Sequence, residues 1–179
     1  MRGLFALAIG LAVLAAPRTA QARDPVTHMA FLLGGRLNTG ALGDHYALGY
    51  ALGGEAGYQL GLIGIDWSLL FNSFESARPE NVAAELRMIE MGLALRGRVA
   101  LSRGDVSTFA LIRAGANIVR TSVPVPPDDK RDYIGPAGGI GLEFFIFDTY
   151  SITLDGRYGL FPAGPSGVTV LLSIGVGGR

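Results

Sequence analysis

The two histidines are the only side chains in the sequence that could act as an imidazole base. His28 precedes an apolar segment, and His45 follows Asp44 in a short glycine-flanked stretch. Acyl transfer needs a serine that is activated by a histidine and oriented by an acid. The serines are scattered, and none stands in a G-x-S-x-G motif. We therefore expect two surface histidines, no catalytic residues and no enzyme.

Metal and phosphate sites are equally poorly supported by the residue spacing. Asp128, Asp129 and Asp132 form an acidic cluster, but they lack the ordered spacing of an EF-hand loop. An exposed acidic loop is the simpler interpretation. The glycine pairs at 34–35, 53–54 and 138–139 do not stand between a strand and a helix, as a phosphate-binding loop would. The prediction is no metal, no cofactor and no cofactor-binding residue.

The composition narrows the class of protein further. The chain has 179 residues, 15 basic and 15 acidic side chains, and no cysteine. Balanced charge argues against a nucleic-acid partner, which would leave a basic surface. The absence of cysteine excludes a disulfide scaffold, a thiolate zinc site and a thiol nucleophile. This length suits one domain with its own core.

The first 22 residues are predicted to be a cleaved signal peptide. Arg2 supplies the positive start, and Leu4 to Ala16 form an apolar segment shorter than the ~20 residues that span a bilayer. Ala20-Gln21-Ala22 has the small-x-small pattern of a cleavage site. The mature chain, 23–179, would be exported and slightly acidic, and we expect it to form a single domain.

The stretch from Glu85 to Arg98 shows how the mature chain is built. Every second residue from Ile89 to Leu95 is apolar, and the residues between them are small or charged. A period of two indicates a β-strand with two different faces. The same alternation predicts eight strands, at residues 28–37, 49–58, 62–72, 85–98, 107–119, 134–147, 150–160 and 168–177.

The connections between these strands alternate in length. Short turns follow the second, fourth and sixth strands, and longer polar loops are predicted at 39–48, 73–84, 120–133 and 161–167. Antiparallel strands place all the long loops at one end. Short turns at one end and long loops at the other are typical of an outer-membrane barrel, whose short turns face the periplasm. We predict an all-β, eight-stranded antiparallel up-and-down transmembrane β-barrel.

The residue composition of the two strand faces indicates which face points out of the barrel. The polar face is mostly glycine, alanine and serine with a few charges of both signs, which suits a narrow interior containing paired charges. The predicted interior charges are Arg36, Glu55, Asp66, Glu90, Arg96, Arg98, Arg113, Glu143, Asp155 and Arg157. The predicted lipid-facing residues include Ile63, Ile65, Trp67, Leu69, Ile89, Met91, Leu93, Leu95, Val170, Leu172 and Ile174. A soluble lipocalin-like or avidin-like barrel that binds an apolar ligand is the inverted alternative.

By this pattern the chain resembles the small OmpA-like and OmpX-like outer-membrane barrels. The resemblance covers the whole mature chain but includes no family-specific motif, and the C-terminal Gly177-Gly178-Arg179 departs from the aromatic residue with which such barrels usually end. It implies a monomer in the outer membrane, with the bilayer, lipopolysaccharide and the outer-membrane assembly machinery as partners. It also implies a role in envelope integrity or surface interaction, with a possible extracellular ligand on the loops. Some such barrels modify lipids, so a lipid-modifying enzyme is the second alternative.

Overall fold

The structure is a computed structural model, and it describes residues 26–39, 42–76, 85–102, 104–125, 130–147, 149–162 and 164–177. The predicted signal peptide, and the acidic pair Asp128 and Asp129, lie outside these residues. The described chain contains eight strands: β1 (Val26–Asn38), β2 (Leu48–Leu60), β3 (Ile63–Glu75), β4 (Glu85–Ser102), β5 (Val106–Val125), β6 (Lys130–Ile146), β7 (Tyr150–Gly159) and β8 (Gly167–Gly177).

The strands close into a barrel in sequence order. Each strand pairs antiparallel with the next, and β1 also pairs with β8, so that Leu33 lies opposite Leu52 on one side and Leu172 on the other. Closure removes the free strand edges that an open sheet would expose. The predicted eight-stranded up-and-down barrel is confirmed. Among the described residues, the structure contains no helix with the length and apolar character to cross a bilayer.

Side chains alternate between the two surfaces of the wall, as the pattern predicts. In β4, Leu93 and Leu95 are about 60% exposed on the outer surface, whereas Glu90 and Arg96 are buried inside. The pleat of a strand directs successive side chains to opposite faces. A sequence that alternates between apolar and polar residues therefore gives the barrel one apolar surface and one polar surface. In this barrel the apolar face is the outer one, which argues against the inverted, soluble arrangement.

The two ends of the barrel differ, and they are named here for their connections. The short-turn end carries residues 61–62, 103–105 and 147–149, and the long-connection end carries the four other links. Gly61 has a φ of 60°, a left-handed conformation that glycine adopts without a steric penalty. Phe147 adopts the same region with a φ of 53°, which is uncommon for a bulky residue.

Two of the predicted loops are too long. β5 and β6 continue to Val125 and Lys130, which are paired, so most of the predicted loop 120–133 is strand. The proline-rich sequence favoured a loop, but Pro124 points outward beside a shift in register between Arg120 and Val125, where a strand tolerates proline. The predicted loop 73–84 likewise begins too early, because β3 runs to Glu75 and turns Phe74 inward.

Candidate functional site in the barrel interior

The charged residues predicted for the interior all point into the barrel. They come from seven strands, each of which carries one to three inward charges: Arg36 in β1, Glu55 in β2, Asp66 in β3, Glu90, Arg96 and Arg98 in β4, Arg113 in β5, Glu143 in β6, and Asp155 and Arg157 in β7. Nine of them are buried, and the tenth, Arg157, is only 13% exposed at its side chain. They form two separate groups rather than one continuous ladder.

The upper group lies near the long-connection end and centres on Arg36. Its guanidinium pairs with Glu90, donates from Nε to Asn38 Oδ1 at 3.2 Å, and donates from Nη2 to the Pro165 carbonyl at 2.6 Å. Asn117 donates its amide to the other oxygen of Glu90. The buried charges of Arg36 and Glu90 therefore neutralise each other. The hydrogen bond from Arg36 to Pro165 also holds the connection before β8 against the barrel wall.

The lower group, nearer the short-turn end, is organised around Arg113. This guanidinium donates to both oxygens of Glu55, at 2.8 and 2.9 Å, and to Asp66. Its Nε also lies 3.2 Å from Asp155 Oδ2. Three carboxylates from three different strands thus share one buried arginine. Charge-assisted, fork-like contacts of this kind hold both partners in a fixed orientation.

Three further arginines balance the negative charge of the carboxylates in the lower group. Arg157 Nη2 donates to Glu55 at 2.7 Å and to Asp155 at 2.9 Å, and Arg96 Nη2 donates to Glu143 at 2.6 Å. With Arg98, which lies 3.8 Å from Glu143, the group contains four arginines and four carboxylates. Buried charges are tolerated when they are paired, and this pairing leaves no net charge among these eight groups.

Arg98 also explains why two aromatic residues face inward. Its Cζ lies 5.0 Å from the ring centre of Phe109 and 5.6 Å from that of Phe145, which are within cation–π range. The two rings meet edge to face, with centroids 5.8 Å apart. In the sequence, Phe109 alternates in phase with the charged Arg113, and nothing in the alternation explains an aromatic residue on that polar face. The contact with Arg98 supplies the explanation, and the three side chains occupy the interior near the short-turn end.

His28 is not the surface residue that the sequence led us to expect. Its side chain is only 11% exposed, and its Nε2 lies 3.3 Å from Asp66 Oδ1, 3.6 Å from Glu55 Oε1 and 3.0 Å from Arg96 Nη1. The even-numbered positions of β1 face inward, so His28 shares a face with Arg36. That periodicity was the signal in the sequence that would have placed His28 in the interior.

An apolar cluster lies at the long-connection end, and the sequence did not predict it. The connection after β1 turns into the mouth of the barrel, where the Tyr46 amide donates to the Leu42 carbonyl at 2.8 Å. Burial raises the pKa of the Tyr46 phenol. The buried members of the cluster are Leu42, Tyr46, Phe74, Leu86, Met88, Val119, Val125, Tyr133 and Phe161. A second apolar group, Leu32, Ala51, Leu70 and Leu171, packs separately inside the wall.

A cavity of about 30 Å³ lies beside Asp66, Ser68, Arg113 and Asn117. That volume is comparable with one water molecule, which needs several polar partners to be held there. The arrangement can neutralise charge, fix the wall and hold a small polar species. It differs from an acyl-transfer site, because the described contacts of His28 are with carboxylates and an arginine.

The predicted lipid-facing residues all lie on the outer surface. Ten are well exposed, with values from 41% for Ile89 to 63% for Ile174, and Leu69 is half-buried. Most of the aromatic residues on the same surface are also exposed, including Tyr50, Tyr58, Phe71 and Tyr158. The outer wall is therefore apolar along the middle of the strands, and toward the long-connection end it also carries exposed charges such as Arg120 and Asp132.

Comparisons with known proteins agree with this geometry. A family described as "Outer membrane protein beta-barrel domain" matches residues 5–177. Among solved structures, Neisserial surface protein A is 13% identical, with 89% of this chain and 99% of that chain covered and a TM-score of 0.54. Ail, the attachment invasion locus protein of Yersinia pestis, is 15% identical over 86% and 97% of the two chains, with a TM-score of 0.52.

OprG from Pseudomonas aeruginosa is 10% identical over 88% of this chain and 96% of its own, with a TM-score of 0.53. No curated protein matches the sequence significantly. At these identities the structural likeness is one of fold, and the family match covers nearly the whole chain. The chain belongs to the outer membrane protein β-barrel family and is an outer-membrane protein.

Proposed function

We propose that this protein is a closed, non-conducting and non-catalytic barrel that serves the outer membrane as a structural or surface-interaction element. The observation that carries the proposal is the interior, where neutral ion-pair groups and apolar clusters occupy the space that a pore would need. An eight-stranded barrel has an interior just wide enough for side chains to fill. Function on such a scaffold then falls to the outer wall and the loops.

The exposed apolar wall is proposed to contact the bilayer. Lipid leaves no partner for an exposed polar group, and the closed strand ladder satisfies the backbone internally. Strands of 10 to 20 residues meet or exceed the ~9–11 tilted residues that cross the hydrocarbon. The exposed aromatic residues suit the interfacial positions at which such barrels carry girdles.

The remaining assignments are proposals that the family and the sequence pattern support. Residues 1–22 are proposed to be a signal peptide that directs export, leaving 23–179 as one barrel domain. The mature barrel is proposed to act as a monomer, to be inserted by the outer-membrane assembly machinery, and to contact lipopolysaccharide in the outer leaflet. An extracellular ligand, if it binds, would meet the long-connection end.

Conductance in planar bilayers tests the proposal that the interior is closed. We expect the reconstituted wild-type protein to show no steady ohmic current, because the two charged groups cross the lumen as neutral ion pairs and an apolar cluster lies in the mouth. The sample is first checked for folding by its gel mobility in SDS, which should change when it is boiled. A reproducible single-channel conductance from the heat-shifting protein would contradict the proposal.

A further inference from the structure

The inward face near the short-turn end brings together one imidazole and two carboxylates. His28 Nε2, Glu55 and Asp66 offer ligand atoms that all lie within 4.8 Å of one another. We propose that these three residues, the His28 triad, form a binding site for a first-row divalent metal ion such as Zn²⁺. The site would be entered from the periplasmic side, and it goes beyond the structural role proposed above.

The distances suit a small metal ion. A tetrahedral zinc ion bonded at about 2.1 Å holds its ligand atoms roughly 3.4 Å apart. In the triad, His28 Nε2 lies 3.3 Å from Asp66 Oδ1 and 3.6 Å from Glu55 Oε1. One imidazole with two carboxylates is a donor set that suits zinc or manganese better than calcium, which takes oxygen ligands only.

A carboxylate oxygen of Asp66 without a hydrogen-bond partner in the described chain also supports a cation site at the His28 triad. Asp66 is 2% exposed, and its Oδ1 accepts no hydrogen bond from any described residue. Leaving a buried carboxylate oxygen unsatisfied is costly. The nearest imidazole nitrogen faces this oxygen, so a cation between the two would satisfy both atoms.

The surroundings already hold the two carboxylates in position. Arg113 donates to both oxygens of Glu55 and to Oδ2 of Asp66, so Glu55 would bind the ion through a remaining lone pair of Oε1. In contrast, Oδ1 of Asp66 accepts no hydrogen bond from a described arginine and faces His28. Hydrogen bonds of this kind to ligating carboxylates orient them toward a metal. Gly57 also matters, because it lies between His28 and Asp66 in the register. A Cβ at this position would come within 2.2 Å of His28 Cε1 and 2.4 Å of Asp66 Oδ1.

The arginines limit the affinity. Arg96 Nη1 lies 3.0 Å from His28 Nε2 and must withdraw when a metal binds, although its other nitrogen stays anchored on Glu143 at 2.6 Å. Because four arginines already balance the four carboxylates, the charge of the ion is not compensated locally. We expect weaker binding than at a structural zinc site, where binding drives folding, and a barrel that folds without metal.

Calorimetric titration of the folded barrel with Zn²⁺ in detergent tests the site. The wild type is expected to bind one ion, and Zn²⁺ should raise the temperature at which the heat-shifting folded band is lost, compared with the protein in EDTA. His28→Ala should weaken binding at least about tenfold, since it removes a ligand. Gly57→Ala should do the same while keeping all three ligands, because the new Cβ pushes two of them apart.

His45→Ala is the matched control, because it removes the other histidine at the opposite end of the barrel. It should bind Zn²⁺ as the wild type does. Folding of each variant is checked by its heat-dependent gel shift, and His28→Gln replaces His28→Ala if the latter does not fold. Absence of saturable binding to the wild type, or unchanged binding in the His28 variant, would overturn the proposal.

Discussion

Replacing Arg113 with leucine is expected to cause the largest loss of stability of any single interior substitution. The change leaves Glu55, Asp66 and Asp155 without their shared buried cation. Breaking a buried ion pair by removing one partner typically costs about 3–5 kcal/mol, because the charge left behind stays uncompensated. Guanidinium unfolding of the barrel in detergent micelles should show this loss, or the variant should fail to give the heat-shifting folded band.

The control for Arg113 is Arg120, which lies in the same strand. Arg120 is on the outside at the long-connection end, where its side chain is 69% exposed and 3.7 Å from Asp132. Exposed ion pairs contribute ~0–1 kcal/mol, so Arg120→Leu should unfold almost as the wild type does. Equal, small effects of both substitutions would show that the lower charged group does not stabilise the barrel.

Replacing Leu93 with arginine is expected to be the most damaging change on the outer wall. Leu93 is 59% exposed in the middle of β4, where it pairs with Trp67 on one side and Ala116 on the other. An arginine near the bilayer midplane costs about 2–4 kcal/mol in a transmembrane barrel. Unfolding in phosphatidylcholine vesicles should report this cost, which should shrink when the same variants are measured in short-chain detergent.

Ile63 provides a control on the same outer surface at a different depth. It is 62% exposed but begins β3 beside the turn at residues 61–62, where an arginine can reach the interface. The cost of arginine falls to about 0–1 kcal/mol near the interfaces, so Ile63→Arg should be mild. If the two substitutions are equally costly, position along the strand does not correspond to depth in the membrane.

The period-two pattern was sufficient to predict the strands and their faces, because each strand has one apolar wall and one polar interior. The β4 stretch is the clearest example, with Met91, Leu93 and Leu95 outside and Arg96 inside. Strand ends were less predictable. Pro124 and its neighbours have a loop-like composition but continue the alternation of the strand. The pairing of Val125 with Lys130 is a contact between two strands, and local composition carries no information about it.

The partners within the charged groups could not be predicted from the sequence. Which carboxylate meets Arg113 depends on the stagger of the strands and on contacts across the lumen, between residues up to 58 positions apart. The inward position of the connection after β1 was unpredictable for the same reason. Leu42 and Tyr46 are buried by apolar residues from several strands, and these contacts exist only in the folded barrel. The burial of His28 was predictable in principle, because His28 has the same parity as Arg36, although it stands at the very start of the predicted strand 28–37.

The orientation of the strands in the membrane is the central claim, and a cysteine scan tests it most directly. The natural sequence has no cysteine, so single cysteines from position 91 to 95 can be spin-labelled without other changes. In bilayers, labels at 91, 93 and 95 should be accessible to oxygen and shielded from a water-soluble nickel complex, and labels at 92 and 94 should be protected from both. High oxygen accessibility at 92 and 94, with 91, 93 and 95 protected, would mean that the barrel is inverted and would contradict the account.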